Sequence, residues 1–362
     1  MNATELKKCL ALLLFLLAAL CGNLTAIGTD KASAADDSDN QLKLLNWSEY
    51  FDPEVLAEFQ KRFGITVTET YYETDEMRNE ILFSTNGTGY DLVLSNGSSI
   101  ASYVKHGWLA PISGRDIANL QHVSRRWRTS FPDSEQYGVP FLWGTLGIAY
   151  RTDKTTKPVT GWMDLFRPEE AVQGKIIMIK YSRDLVGMAL KALGYSINST
   201  DSRELEEAKQ LLLAQKPFVK TYSYVTLGEN SSMVSGDAFM AMIYNGDAVV
   251  LQQRDQAIAF VQPREGCLLW CDFFVIPASS KNKKLAYKFL NFIHEPAIMA
   301  KLAQYASYAT TNTAAEKLLP QDFRNDHNIY PHKAILEKSE TYTDLPPRVA
   351  KKYNDIFNLV IQ

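Results

Sequence analysis

Residues 42–69, LKLLNWSEYFDPEVLAEFQKRFGITVTE, decide the fold. Leu42 to Trp47 reads as a strand. Asp52 and Pro53 follow as a helix N-cap and first turn. Val55, Leu56, Phe59 and Phe63 keep one face of that helix apolar, and Gly64 stops it. Ile65 to Glu69 then alternates like a strand. Another helix and the strand Tyr90 to Leu94 complete a β-α-β-α-β opening. This alternation argues for a parallel sheet flanked by helices.

The pattern continues beyond residue 150. A strand is expected near Lys175 to Ile179, and helices near 184–193 and 202–214. Asp237 to Tyr244 is a mostly apolar run that suits a buried strand, and Phe273 to Ile276 is another. Lys283 to His294 carries Leu285, Phe289, Phe292 and Ile293 at helical spacing. No internal repeat, low-complexity tract or obvious linker interrupts the chain. At about 150 residues per domain, 362 residues make two domains. Two α/β units without a linker suggest a chain that crosses between them more than once. Ligand sites favour such interfaces and the carboxyl ends of parallel strands.

The composition is that of a soluble globular protein, 46% hydrophobic and 22% charged. A net charge of -3 leaves no nucleic-acid footprint. Lys7 and Lys8 precede an apolar run, Cys9 to Leu20, too short for a membrane span. Ala32-Ser33-Ala34 offers small residues where a signal peptidase reads, so 1–34 is read as a signal peptide cleaved after Ala34. A lipoprotein reading at Cys21 stands as the alternative, against which Leu20 is bulky. The mature chain keeps Cys267 and Cys271. Positions four apart in a strand lie about 13 Å apart, beyond bridging reach without a turn. Two inert buried thiols is the preferred reading.

Catalytic signatures are missing. There is no phosphate loop, no G-x-G-x-x-G and no G-x-S-x-G. The five His residues are scattered, no metal or cofactor is expected, and no residue stands out as catalytic. The chain does place aromatic residues beside carboxylates. Trp47-Ser48-Glu49-Tyr50 is one cluster. Trp270-Cys271-Asp272 is another, with Trp270 and Asp272 on the same face of a strand. Tyr244 ends an apolar strand beside Asn245-Gly246-Asp247, and Tyr181 and Asp184 sit three apart at a strand-to-helix turn. Such a set suits a linear polycation: ammonium groups need carboxylates, and the methylene stem needs flat apolar faces. The competing reading is structural, since a strand-end Trp is more often core and Asp52 is explained by its capping.

Taken in order along nearly the whole mature chain, these motifs resemble the periplasmic spermidine/putrescine-binding proteins of bacterial ABC importers. The resemblance rests on Asn46-Trp47-Ser48-Glu49-Tyr50, Tyr90-Asp91-Leu92-Val93, Pro140 to Thr145 with Gly147-Ile148, Met242 to Gly246, Trp270-Cys271-Asp272 and Asn282-Lys283-Lys284. It implies a two-lobed, type II-like α/β periplasmic binding fold with discontinuous lobes and a ligand cleft at the hinge. Lobe 1 would comprise 40–148 plus 273–318, and lobe 2 would comprise 149–272 plus 319–362. It implies that Trp47 and Tyr50 form part of an aromatic box, with Glu49 an acidic contact and Ser98 lining the cleft. Tyr244 stands where many members have Trp. Trp270 would stack on the methylene stem, Asp272 and Asp184 would hold ammonium groups, and Tyr308 would close over the ligand. Tyr342 falls where some members carry a polar contact. One departure is Tyr181, which replaces the first of an acidic pair that spermidine binders tend to carry.

By resemblance the protein is a monomeric periplasmic binder that presents a polyamine to the membrane permease of an ABC importer. The alternative is a sensor that signals through a transmembrane cyclic di-GMP enzyme controlling biofilm formation, as some similar proteins do. A periplasmic enzyme is the third reading, with no residue to nominate.

Overall fold

The computed structural model describes residues 40–48 and 50–362. The signal segment, its cleavage after Ala34 and the lipoprotein alternative at Cys21 therefore lie outside the described residues, as does Glu49.

The opening stretch folds as its sequence dictates. Strand β1 spans Gln41–Trp47. Asp52 then caps helix α1 (Pro53–Phe63) by accepting the Glu54 backbone N–H at 2.9 Å. Gly64 closes the helix in the left-handed region, φ 66°, donating its N–H to the Gln60 carbonyl at 2.8 Å. Strand β2 (Thr66–Tyr72), helix α2 (Asp75–Ser84) and strand β3 (Leu92–Asn96) follow. Both β2 and β3 pair with β1 in parallel.

The remaining strands are β4 (Val139–Arg151), β5 (Ile176–Met178), β6 (Val219–Tyr222), β7 (Met240–Tyr244), β8 (Ile258–Val261), β9 (Leu269–Val275) and β10 (Ala309–Thr310). They assemble in the order β2-β1-β3-β9-β4-β7-β5-β6, with β8 and β10 also paired to β4. The longer later helices are α3 (Ser182–Ala192), α4 (Ser202–Gln215), α5 (Asn245–Arg254), α6 (Lys283–Ile293), α7 (Pro296–Ala306) and α8 (Pro347–Ile361).

The parallel pairing expected of the β-α-β-α-β opening is present, and antiparallel strands added at the centre make the whole sheet mixed. The outer strands are parallel, β1 with β2 and β3, and β5 with β6 and β7. The central pairings β3–β9, β9–β4 and β4–β7 are antiparallel. Strand β4 is the shared member. Its first half, to Thr145, pairs with β9, and its second half, from Leu146, pairs with β7. A second tie sits at the far end of the chain. Glu340 donates its N–H to the Cys267 carbonyl at 3.0 Å and accepts the Leu269 N–H at 2.8 Å.

Each half of the sheet has apolar packing on both faces. Leu44, Phe59, Phe141, Phe274 and Phe289 fill one face of the first half, and Tyr103, Trp108, Trp143 and Phe273 fill the other. In the second half, Trp162, Leu165, Met178 and Leu190 fill one face, and Ala241, Ile243 and Leu251 the other. Leu319 and Ile329 pack with the first half. Strands buried on both faces explain why β5 and β7 read as continuous apolar runs. Cys267 and Cys271 are buried free thiols, and burial pushes both thiol pKa values up.

Candidate functional site

The carboxyl ends of β1, β3, β5 and β7 deliver the site residues, and β9 crosses between them. Trp47 ends β1 opposite Tyr72 of β2, and their rings lie 4.5 Å apart. Tyr50 follows in the next turn. Its hydroxyl donates to Asp272 Oδ2 at 3.1 Å. Asp272 sits on β9, paired with Asn96 of β3. Trp270, two residues earlier on the same strand, lies opposite Gly144 of β4. The glycine is needed there, because a Cβ would come within 2.6 Å of the indole.

The rings form a continuous run. Tyr50 lies 6.0 Å from Tyr308. Tyr308 meets Trp270 edge to face at 4.8 Å and 85°, and Trp270 meets Tyr244 at 6.1 Å and 81°. Tyr308 follows Ser307, whose φ of 57° caps α7 and turns the chain back. The Tyr308 hydroxyl donates to Asp247 Oδ1 at 3.1 Å. The Tyr244 hydroxyl donates to Asp184 Oδ2 at 2.8 Å, and the Tyr342 hydroxyl to Asp184 Oδ1 at 2.6 Å.

Two buried carboxylates, Asp184 and Asp272, and the half-buried Asp247 are therefore met by neutral tyrosine hydroxyls. Burial pushes Asp184 up to about 7, with Asp75 and Glu76 adding to the rise while the hydroxyls of Tyr342 and Tyr244 oppose it. Burial also pushes Asp272 up to about 7, helped by Asp75 and opposed by Tyr50 and Arg78. Asp247 rises to about 6 from burial, against the Tyr308 hydrogen bond. Asp75 differs in having its own cation, since the fully buried Arg78 forms an ion pair with it. A cluster of carboxylates that burial holds against ionisation, walled by aromatic faces, is arranged to receive positive charge. Among the described residues no group of three or more His, Cys, Asp or Glu is arranged to hold a metal.

The structure thus brings Tyr50, Asp184, Tyr244, Trp270, Asp272 and Tyr308 into one connected cluster. Trp47 stands beside it on Tyr72. Ser98 and Tyr181 are set apart from the ring run, lining a cavity of about 200 Å³ that Tyr342 also borders. Sequence reasoning did not nominate Asp247, Asp75 or Glu76. Asp247 was marked only by its place beside Tyr244. Asp75 and Glu76 occupy a first helical turn, where acids are common because of the helix dipole, so nothing distinguished them.

The model of a known family, described as bacterial extracellular solute-binding protein, matches residues 54–330. The chain belongs to that family. This solute-binding protein is not an enzyme. It is 32% identical over 328 residues to the spermidine/putrescine-binding periplasmic protein of Escherichia coli, a match covering 90% of this chain and 92% of the relative. A solved structure from Listeria monocytogenes superposes with a TM-score of 0.81 at 31% identity, covering 89% of this chain and 98% of that one. The spermidine/putrescine ABC transporter substrate-binding protein PotD of Streptococcus pneumoniae gives a TM-score of 0.78 at 28% identity, with 89% and 100% covered. These likenesses carry the two-lobed binding-protein fold. Among the described residues, no helix of the solute-binding protein is long and apolar enough to cross a membrane.

Proposed function

We propose that the protein captures a linear polyamine of the spermidine, norspermidine or putrescine class between its lobes, and presents it to a membrane partner. The observation that carries this reading is the run Tyr50–Tyr308–Trp270–Tyr244, which joins three carboxylates whose side-chain hydrogen-bond partners among the described residues are tyrosine hydroxyls. Ammonium groups replace the missing countercharge at Asp184, Asp247 and Asp272, and the rings sheathe the methylene stem. The names of the relatives support the same ligand class. In this reading Trp47 borders the box, and Ser98 and Tyr181 line its outer end.

The lobes are proposed to divide as expected from the sequence, 40–148 with 273–318 and 149–272 with 319–362, with two adjustments. The β9 pairing supports assigning Leu269 to Asp272 to the first lobe, and the packing of Leu319 and Ile329 supports a last crossing nearer Glu340. The working form is an exported periplasmic monomer, and the partner is the permease of an ABC importer. Tyr181 in place of a carboxylate favours keeping a second output in view, a transmembrane sensor enzyme reading the same closed lobes. Labelled polyamine uptake in a deletion strain separates the two: uptake falls for an importer and is unchanged for a sensor.

The ligand itself is tested by thermal unfolding with putrescine, spermidine, norspermidine and spermine. A ligand that binds only the native state at a hundredfold excess over Kd adds about 2.7 kcal/mol of stability. At least one polyamine is expected to raise the midpoint by several degrees. A flat response to all four overturns the reading.

A further inference from the structure

The cavity beyond Asp184 has a chemistry that a second ammonium does not explain. Ser98, Ser99 and Ser102 line it from the first half of the molecule, and Tyr181, Arg183 and Thr343 from the second. Tyr342 connects it to the carboxylate cluster, since this ring borders the cavity while its hydroxyl holds Asp184. The volume, about 200 Å³, equals roughly seven times the 30 Å³ share of a liquid water. That is room for the end of a chain carrying a small substituent.

The charged side chains described in the lining of this cavity are Arg183 and Asp344, while Asp75, Asp184 and Glu76 act on Tyr181 from beyond it. Among the described residues Asp344 is the only carboxylate lining it, and Lys105 already pairs with it at 3.1 Å. The Arg183 guanidinium lies over the Tyr342 ring at 4.4 Å. One of its terminal nitrogens donates to Asn198 Oδ1 at 2.8 Å and the other to the Thr343 carbonyl at 3.3 Å. Its Nε–H is buried with no hydrogen-bond partner. An unspent donor on a cation repels an ammonium and suits a carbonyl oxygen. The serines are neutral and serve either kind of group.

We infer that this cavity receives the far end of the ligand as an uncharged acyl amide, so that the preferred solute is an N-acylated polyamine. The inference rests on the polyamine reading of the neighbouring carboxylates and adds which end group the protein selects. The amide oxygen is placed against the Arg183 guanidinium, the acyl carbon among the serines and Tyr181, and the free amines at Asp184, Asp247 and Asp272.

The test is calorimetry with spermidine and N1-acetylspermidine on the full mature protein and on two variants. The wild-type protein is expected to bind N1-acetylspermidine at least as tightly as spermidine. Arg183→Gln is expected to weaken the acetylated ligand about tenfold, the worth of one hydrogen bond to a charged group, and to leave spermidine unchanged or tighter. Tyr181→Glu, which puts a carboxylate into the cavity, is expected to shift preference back towards spermidine. Melting curves of the unliganded variants check that each is folded. If spermidine binds tenfold or more tightly than its acetylated form, and Arg183→Gln lowers both alike, the inference falls and the polyamine reading stands. If neither ligand binds, both fall.

Discussion

Asp272 meets the Tyr50 hydroxyl and no cation in the cluster, and burial holds its pKa near 7. An ammonium placed against it supplies a charge pairing that a neutral tyrosine hydroxyl does not. Losing one partner of such a buried pair costs about 3–5 kcal/mol, so Asp272→Asn is expected to weaken polyamine binding at least about a hundredfold. The same change removes a carboxylate that the unliganded fold holds only at a cost, so the unliganded variant is expected to melt no lower than wild type at pH 8. Trp270→Ala removes the ring at the centre of the run, and a desolvated cation over Trp is worth about 2 kcal/mol. A loss of at least tenfold is expected there. Unchanged calorimetric affinity in both variants would remove these two residues from the site. Trp270 and Asp272 were legible because two-residue spacing in a strand puts both side chains on one face. Asp75 and Asp247 were not, because an acid in a first helical turn is ordinary in any sequence, and only the fold shows what it faces.

At the scale of elements, β4 joins the two halves, and its glycines set what can lie against it. The opening β-α-β-α-β units were legible from caps and periodicity, as Asp52 and Gly64 show. The antiparallel crossing was not. Strand β4 is buried along nearly its whole length, and a continuous apolar run carries no period to reveal its direction or where it changes partners. Two substitutions on this strand separate fold from site. A Cβ on Gly144 would come within 2.3 Å of Asn245 Oδ1 and 2.6 Å of the Trp270 ring, whereas on Gly147 it would meet the Phe260 ring at 2.5 Å and the Val261 carbonyl oxygen at 2.6 Å. Each is expected to cost about 1–3 kcal/mol of stability through overpacking. Gly144→Ala displaces Trp270 and is expected to lower polyamine affinity as well. Gly147→Ala lies against Phe260 and is expected to leave the affinity of the folded protein unchanged. Equal affinities for the two variants would show that the Gly144 contact does not position Trp270 for ligand.

For the whole molecule, the three carboxylates couple binding to pH. Asp184 and Asp272 titrate near 7 and Asp247 near 6 in the unliganded fold, against 3.8 for an ordinary Asp. Between those values the folded chain holds more protons than the unfolded one. Their contribution to stability is therefore fully present below about pH 4 and is lost as pH rises through about 6 to 7. A bound polycation reverses the preference by pairing the ionised carboxylates, so their folded pKa values fall and binding expels protons. Two outcomes follow. The rise in melting temperature on adding polyamine is expected to be larger at pH 8 than at pH 5, and the calorimetric enthalpy at pH 6 to 7 is expected to vary with the ionisation enthalpy of the buffer. Replacing Asp184 by Asn is expected to reduce both effects while leaving the tyrosine hydroxyls an oxygen to meet. A ligand-induced shift that is the same at both pH values, with no buffer dependence, would mean that the charge of these carboxylates does not change when the lobes take up their solute.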